Sequence, residues 1–451
     1  MKNIRFLLVI FLFWFASCDV LEVEPQHSIP AEDAITSESD AIRALNGCYD
    51  ALQSDGYYGM DYIAVGDLSA DNLNWSGTSA AYNQMDNNAI ISDNIYVEGI
   101  WSDIYTALNR INNLLSNLEA LDENAIEENE KNEIRGELYF LRALAHFDLV
   151  KLFGGIPIRT SPITNDEASL NAPRNSVDVV YEAIWDDIEE SEKVISSEII
   201  VGRASMAALL ALKARVHLYY YSITGDESDL TNAVESATSV IDDFGLGLEP
   251  DFQVLFNGSQ NSESIFEIEF NEQDRSLMAQ YFFPTDLSGR YEFSPTESII
   301  ENYDEEDERF GVSFEYNGEE PYVNRYSDLQ TNTDNVYVFR LAEMYLIRAE
   351  ANTFLEADPL IILADINAIR ERANLLPFTL TNYDDLTLEI EQQRRLEFAF
   401  EGHRWFDLIR TNRAIELLEG VDHENQTLFP IPLSEILAND AIGNNDQNPG
   451  Y

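Results

Sequence analysis

Cysteine is almost missing from this chain. Two occur in 451 residues, Cys18 and Cys48. That is too few for a disulfide framework and, with only five scattered histidines, too few for a Cys/His zinc site. Basic residues are scarce too: 27 against 82 acidic ones give a formal net charge of −55. Nucleic-acid binding rests on neutralising phosphates, so this charge excludes a nucleic-acid partner. Anionic polymers are also repelled, within a screening distance of about 8 Å at physiological salt. The charge reads first as solubility in a salty, exposed setting, and second as a preference for neutral ligands. No Gly-rich phosphate loop, nucleophile elbow or HExxH motif occurs.

The N-terminal apolar run, Phe6–Phe15, is too short for a stable membrane span. Lys2 and Arg5 precede it and the small residues Ala16 and Ser17 follow it, which is the pattern of an export signal. The ending Phe15-Ala16-Ser17-Cys18 resembles a bacterial lipobox, with Phe15 where leucine is usual. The resemblance implies cleavage after residue 17 and lipidation of Cys18, followed by a polar tether over 18–35. Several acyl chains on one residue anchor firmly where a single chain binds only marginally. Cys48 then has no disulfide partner and reads as a small buried hydrophobe.

What the chain has in quantity is apolar and aromatic residues, 45% and 11%, enough for a large core. Apolar residues at helical spacing predict helices over 38–52, 98–118, 124–153, 176–195, 203–222 and 228–244. Gly154-Gly155, Gly202 and Gly225 punctuate them. Helices of this length with short breaks suggest antiparallel pairs of tetratricopeptide type, without a strict repeat. Residues 61–94 are rich in Asn, Ser, Gly and aromatics and read as long, ordered loops. The helical period is lost over 251–330, where 265–270 reads as a short strand. It returns over 336–354, 360–373 and 386–413. The expected organisation is a helical region over 36–250 packed with a second over 251–451 as one unit.

Glu391–Arg410, EQQRRLEFAFEGHRWFDLIR, crowds ionisable residues among large apolar ones. Glu397, Glu401, His403 and Asp407 have the chemistry of acids, bases or metal ligands. The structural alternative, which we favour, is one enclosed scaffold helix. Its pairs Arg394–Glu397, Arg404–Asp407 and Asp407–Arg410, three residues apart, would neutralise each other.

The same C-terminal third carries motifs that name a family. Phe339–Leu346 with Arg348–Ala351, and Ile366–Ala373, resemble the RLAExYLxxAEA and INxIRxRA segments of SusD/RagB-type proteins. Glu391–Arg410 is similar to their ERRxELxxEGxRWFDLIR stretch, with Gln393 in place of a usual Glu. Leu428–Pro432 and Gln447–Tyr451 resemble their PIP and terminal QNPGY. Trp101–Asn112 and Arg135–Pro157 resemble their early helices. The resemblance implies a mainly α-helical SusD-like fold, with tetratricopeptide-like helix pairs, minor strands and a loop-rich binding face. It also implies a non-catalytic glycan-binding lipoprotein of a Bacteroidetes-type bacterium. Such a protein is held at the outer-membrane surface by Cys18 and delivers polysaccharide to a SusC-like TonB-dependent transporter.

A sugar offers hydroxyls and an apolar C–H face, so its site needs a flat aromatic ringed by polar groups. Among the tryptophans only Trp75 lies in a polar loop, beside Asp71, Asn72 and Asn74. It is the expected stacking platform, and Trp75→Ala is expected to lower glycan affinity. Tyr82, Tyr281, Arg290 and Tyr291 complete the candidate site. No catalytic or metal-ligating residue and no cofactor is expected, although the acidic loops leave a calcium ion open. The rival readings are a glycoside hydrolase, for which paired acids are easily found by chance among 82, and a helical adaptor for peptides.

Overall fold

The computed structural model describes residues 35–122, 124–164, 166–258 and 261–451. The export signal, Cys18 and nearly all of the tether lie outside them. Capping chemistry fixes where the helices begin and end. Ser37 caps α1 (Glu38–Leu52) by accepting from the Asp40 N–H. Asn94 caps α4 (Ile95–Ala120) by accepting from the N–H groups of Tyr96 and Val97 at 3.0 and 3.2 Å. The helix α5 (Glu128–Phe153) ends at Gly154, whose φ of +69° suits glycine. α6 (Val177–Glu192) packs along α5, and α7 (Met206–Thr224) pairs with α8 (Glu227–Asp243) across Gly225 and Asp226. Cys48 is buried on α1, and burial pushes its thiol up to about 12.

The two halves of the chain interlock. α8 packs on α9 (Leu341–Phe354), which pairs with α10 (Pro359–Arg372) and lies against α11 (Tyr383–Glu397). β1 (Leu73–Trp75) pairs antiparallel with β3 (Phe293–Pro295), and β2 (Ser264–Ile268) with β6 (Val336–Arg340). β4 (Phe314–Asn317) and β5 (Glu320–Val323) form a third ribbon. The fold is mainly α-helical, as expected.

Three expectations are corrected. Residues 61–94 are not simply loops: they hold α2 (Asp61–Leu68), β1 and α3 (Ala80–Asp86). Val336–Arg340 is a strand buried on every residue, so its apolar run carries no alternation to betray it. Glu391–Arg410 is not one helix either. α11 stops at Glu397, the chain turns through Phe400 (φ +65°) and Gly402 (φ +78°), and α12 (Arg404–Arg410) starts anew. Asp67 of α2 holds this turn. Its carboxylate accepts from the N–H groups of Phe400 at 3.2 Å and Gly402 at 2.9 Å. α2 can come this close because Gly66 has no side chain; a Cβ there would lie 2.3 Å from the Gly402 carbonyl oxygen.

Candidate ligand-binding site

The ionisable residues of Glu391–Arg410 do not form a reactive centre. Arg309, Arg325, Arg340 and Arg372 converge on Asp307, Glu263, Glu397 and Glu401, and all eight are buried. Arg340 reaches Glu401 at 2.9 Å and Glu263 at 2.8 Å and also pairs with Glu397. Burial alone would raise the Glu397 carboxyl, but Arg372, Arg340 and Arg309 hold it well below the usual carboxylate range. A second group joins Asp407 to Arg394 and Arg410, each at 2.8 Å, and Arg410 to Glu350. Asp407 is likewise held low by the two guanidiniums against the opposing effect of burial. Of the three intrahelical pairs expected from spacing, only Asp407–Arg410 forms. Glu397 faces guanidiniums from other elements, and Arg404 turns to Asp71 and Glu391 instead of Asp407. Every carboxylate here is locked in charge-assisted hydrogen bonds, leaving none free to move a proton.

The early site residues separate into two sets. Asp71 and Asn72 face inward: Arg404 grips the Asp71 carboxylate at 2.7 and 3.1 Å. Asn72 is fully buried between Asp67 and Arg395. They fasten the start of β1 to α11 and α12: Asn72 is closed to a ligand, and the Asp71 carboxylate is engaged by Arg404 and Arg395. Asn74 is exposed on β1, opposite Ser294. Trp75 is on a strand, not in a loop, and is half-buried. Its ring meets Tyr82 at 4.9 Å and Phe293 at 5.5 Å, tilted by 43° and 60°. Gly77 lies against its benzo edge, where a Cβ would come within 2.4 Å.

Around Trp75 the fold gathers further aromatics from four elements. Tyr82 on α3 is buried and donates its hydroxyl to Asp61. Burial pushes the Asp61 carboxyl up to about 7, against the pull of that hydrogen bond. Tyr96, in the first turn of α4, stacks on Tyr82 with centroids 3.6 Å apart and planes 12° apart. Tyr281, in the helical turn Met278–Phe282, stands edge-on to Tyr82 at 80°. The Arg290 guanidinium lies 4.3 Å over the Tyr281 ring, donates to its hydroxyl at 3.0 Å and pairs with Glu292 at 3.2 Å. Tyr291 is half-buried, and its hydroxyl donates to the Pro321 carbonyl.

The structure thus gathers Trp75, Tyr281 and Arg290 around buried Tyr82, sets Asn74 on the adjoining strand and Tyr291 against Pro321, and leaves Asp71 and Asn72 beneath. The sequence reading missed Tyr96 and Glu292. A helix start at 98 left Tyr96 outside, and the overlooked signal was Asn94, a cap residue two positions earlier. Such a surface, with aromatic rings rimmed by amide and guanidinium groups, is suited to holding a polar ligand that has an apolar face. Among the described residues no group of three or more His, Cys, Asp or Glu is placed to hold a metal ion, and no helix is long and apolar enough to cross a membrane.

Comparison with known proteins identifies the family. A profile described as "SusD family" matches residues 269–424, and one described as "Starch-binding associating with outer membrane" matches residues 19–218. The chain belongs to the SusD family. The aromatic surface of this SusD chain draws on both matched regions: Trp75, Tyr82 and Tyr96 from 19–218, and Tyr281 and Arg290 from 269–424. It is 26% identical over 521 aligned residues to SusD-like protein P2 of Formosa agariphila, with all of both chains covered. It is 28% identical to SusD-like protein P38 of the same organism, covering 100% of this chain and 99% of that one. In fold it is similar to a SusD superfamily protein from Bacteroides vulgatus, with a TM-score of 0.81 and 21% identity over 92% of this chain and 99% of that one. It is also similar to a structure described as a laminarin-binding SusD-like protein, with a TM-score of 0.79 and 23% identity over 92% and 100%.

Proposed function

We propose that this protein is a non-catalytic surface receptor for a neutral glycan, held at the outer membrane through lipidated Cys18. It delivers its ligand to a SusC-like TonB-dependent transporter. The observation that carries the glycan reading is the aromatic surface itself. Partly exposed rings of Trp75, Tyr96 and Tyr281 pack around Tyr82 with the exposed Arg290 over Tyr281, and exposed Asn74 lies on the adjoining strand. The net charge of −55 favours an uncharged polymer, and laminarin, the ligand in the description of one fold neighbour, is the first glycan to try. The absence of catalysis is supported by the carboxylates. Those of Glu391–Arg410 are locked in ion pairs, Glu292 is paired with Arg290, and Asp61 is buried under Tyr82. Calorimetry with laminarin, maltoheptaose, xylan and alginate tests the reading, alongside an assay for reducing ends. Saturable binding of a neutral glycan without new reducing ends is expected. Turnover would replace the receptor by a hydrolase, and affinity for alginate alone would remove the neutral-ligand reading. Co-purification of a co-expressed transporter from the outer membrane, lost in Cys18→Ala, tests the anchor and the partner.

A further inference from the structure

We infer that Tyr96, not Trp75, is the floor on which a sugar ring lies, in an L-shaped seat whose wall is Tyr281 under Arg290. The inference rests on the glycan reading above and names the residues and chain shape that reading requires.

A stacking platform needs one flat face supported and the other open. Trp75 lacks this arrangement: its two ring neighbours meet it at 43° and 60°, and Gly77 closes on its benzo edge. Those are the contacts of a wedge inside an aromatic cluster. Tyr96 has one ring neighbour among the described residues, Tyr82, and lies almost parallel to it at 3.6 Å. That face is closed to water, so the area Tyr96 exposes belongs to its opposite face and its edge. The support is rigid, because Tyr82 is buried and its hydroxyl is tied to Asp61. Asn94 fixes the Tyr96 backbone through the helix cap. Ile95 and Ile91, close by in the chain, are also exposed, at 63% and 49%.

The wall follows from two angles. Tyr82 is 12° from Tyr96 and 80° from Tyr281, so Tyr96 and Tyr281 stand close to perpendicular. Arg290 lies over Tyr281 with both its bonds directed at Tyr281 and Glu292, which leaves donors on a half-exposed guanidinium at the rim. In the inferred seat a ring lying on Tyr96 points an edge toward the Tyr281 wall, which disfavours a straight, flat chain. A chain that turns at each linkage, such as a β-1,3-glucan, can climb out along it.

Calorimetry of the full chain with laminarihexaose and cellohexaose tests this. The expected result is laminarihexaose binding that falls about tenfold or more in Tyr96→Ala and is retained in Tyr96→Phe, with melting temperatures unchanged. Affinity unchanged in Tyr96→Ala overturns the assignment, and loss in Trp75→Phe alongside it returns the platform to Trp75. Loss in Tyr96→Phe overturns stacking in favour of the hydroxyl. Cellohexaose binding as tightly as laminarihexaose overturns the bent seat. No binding of either sugar, or of any glycan named above, removes the glycan reading itself. Should Tyr96→Ala fail to fold, fluorotyrosine-labelled protein reads the contact directly, with the Tyr96 signal assigned from Tyr96→Phe. A signal unmoved at saturation overturns the assignment.

Discussion

Asp71 and Trp75 are near neighbours in the chain, yet they belong to regions built in opposite ways. Asp71 hangs on the guanidinium lattice of α11 and α12, where most charges are buried and nearly all are paired, many with distant segments. Trp75 opens onto the tyrosine corner, where the rings of Tyr96 and Tyr281 are only partly covered and Arg290 stays half-exposed. Both regions use arginine against aromatic rings: Arg340 lies 4.5 Å over Phe398, and Arg290 lies 4.3 Å over Tyr281. The difference lies in what remains unsatisfied. A lattice whose charges are buried against one another holds the fold, whereas a surface with exposed faces and donors can hold something else.

Breaking the lattice should have the largest effect. Arg340→Met leaves Glu263, Glu397 and Glu401 short of a buried cation, which typically costs about 3–5 kcal/mol. A strongly lowered melting temperature or insoluble protein is expected. A folded variant with unchanged stability would show that the lattice is not the scaffold. Arg404→Ala comes next, at about 2 kcal/mol from charge-assisted bonds to Asp71 and Glu391. Its melting temperature should fall while glycan affinity survives, and the reverse pattern would merge the two regions.

The pH profile separates two kinds of buried carboxyl. Glu397 and Asp407 are held below their unfolded values, so their contribution is present above about pH 4 and lost as pH falls further. Asp61, pushed up to about 7, and Asp67, up to about 6, are raised by burial. The folded state takes up protons at these two between about pH 4 and pH 7, so their contribution grows as pH falls through that window. Thermal melting should therefore show stability rising from pH 8 toward pH 5 and dropping below pH 4. Asp61→Asn should raise the melting temperature most at pH 8, less at pH 5 and little at pH 4. The smallest effect on stability is expected from Arg290→Ala, within about 0.5 kcal/mol at an exposed site, with glycan affinity reduced in the same protein.

Helical spacing located most helices to within a few residues because their apolar stripes are regular. It failed at the turn through Phe400, because Leu396, Phe398, Ala399 and Phe400 keep the apolar pattern going while the backbone leaves the helix. Gly402 was the one local warning. The ion-pair partners were illegible for another reason: Glu263, Arg309, Arg325 and Arg340 are far from Glu397 in the chain, and spacing sees only neighbours. In the corner, chain position showed that Trp75 stood among polar residues. It could not show that β3 would press Phe293 against it, nor that the cap at Asn94 would lay Tyr96 flat on Tyr82.

One feature of the fold links the corner to a distant part of the chain. Tyr96 opens α4, a helix of 26 residues and so about 39 Å long. The far end of α4 leads to Ala125, whose carbonyl accepts from the Glu38 N–H where the described chain begins its first helix. The place where the chain enters the fold and the place where rings await a ligand are therefore opposite ends of one stiff rod. Any tilt of this rod would have to strain the Tyr96–Tyr82 stack and the Asn94 bonds to Ala81 and Gln84, so the corner is braced against movement arriving from the Glu38 end.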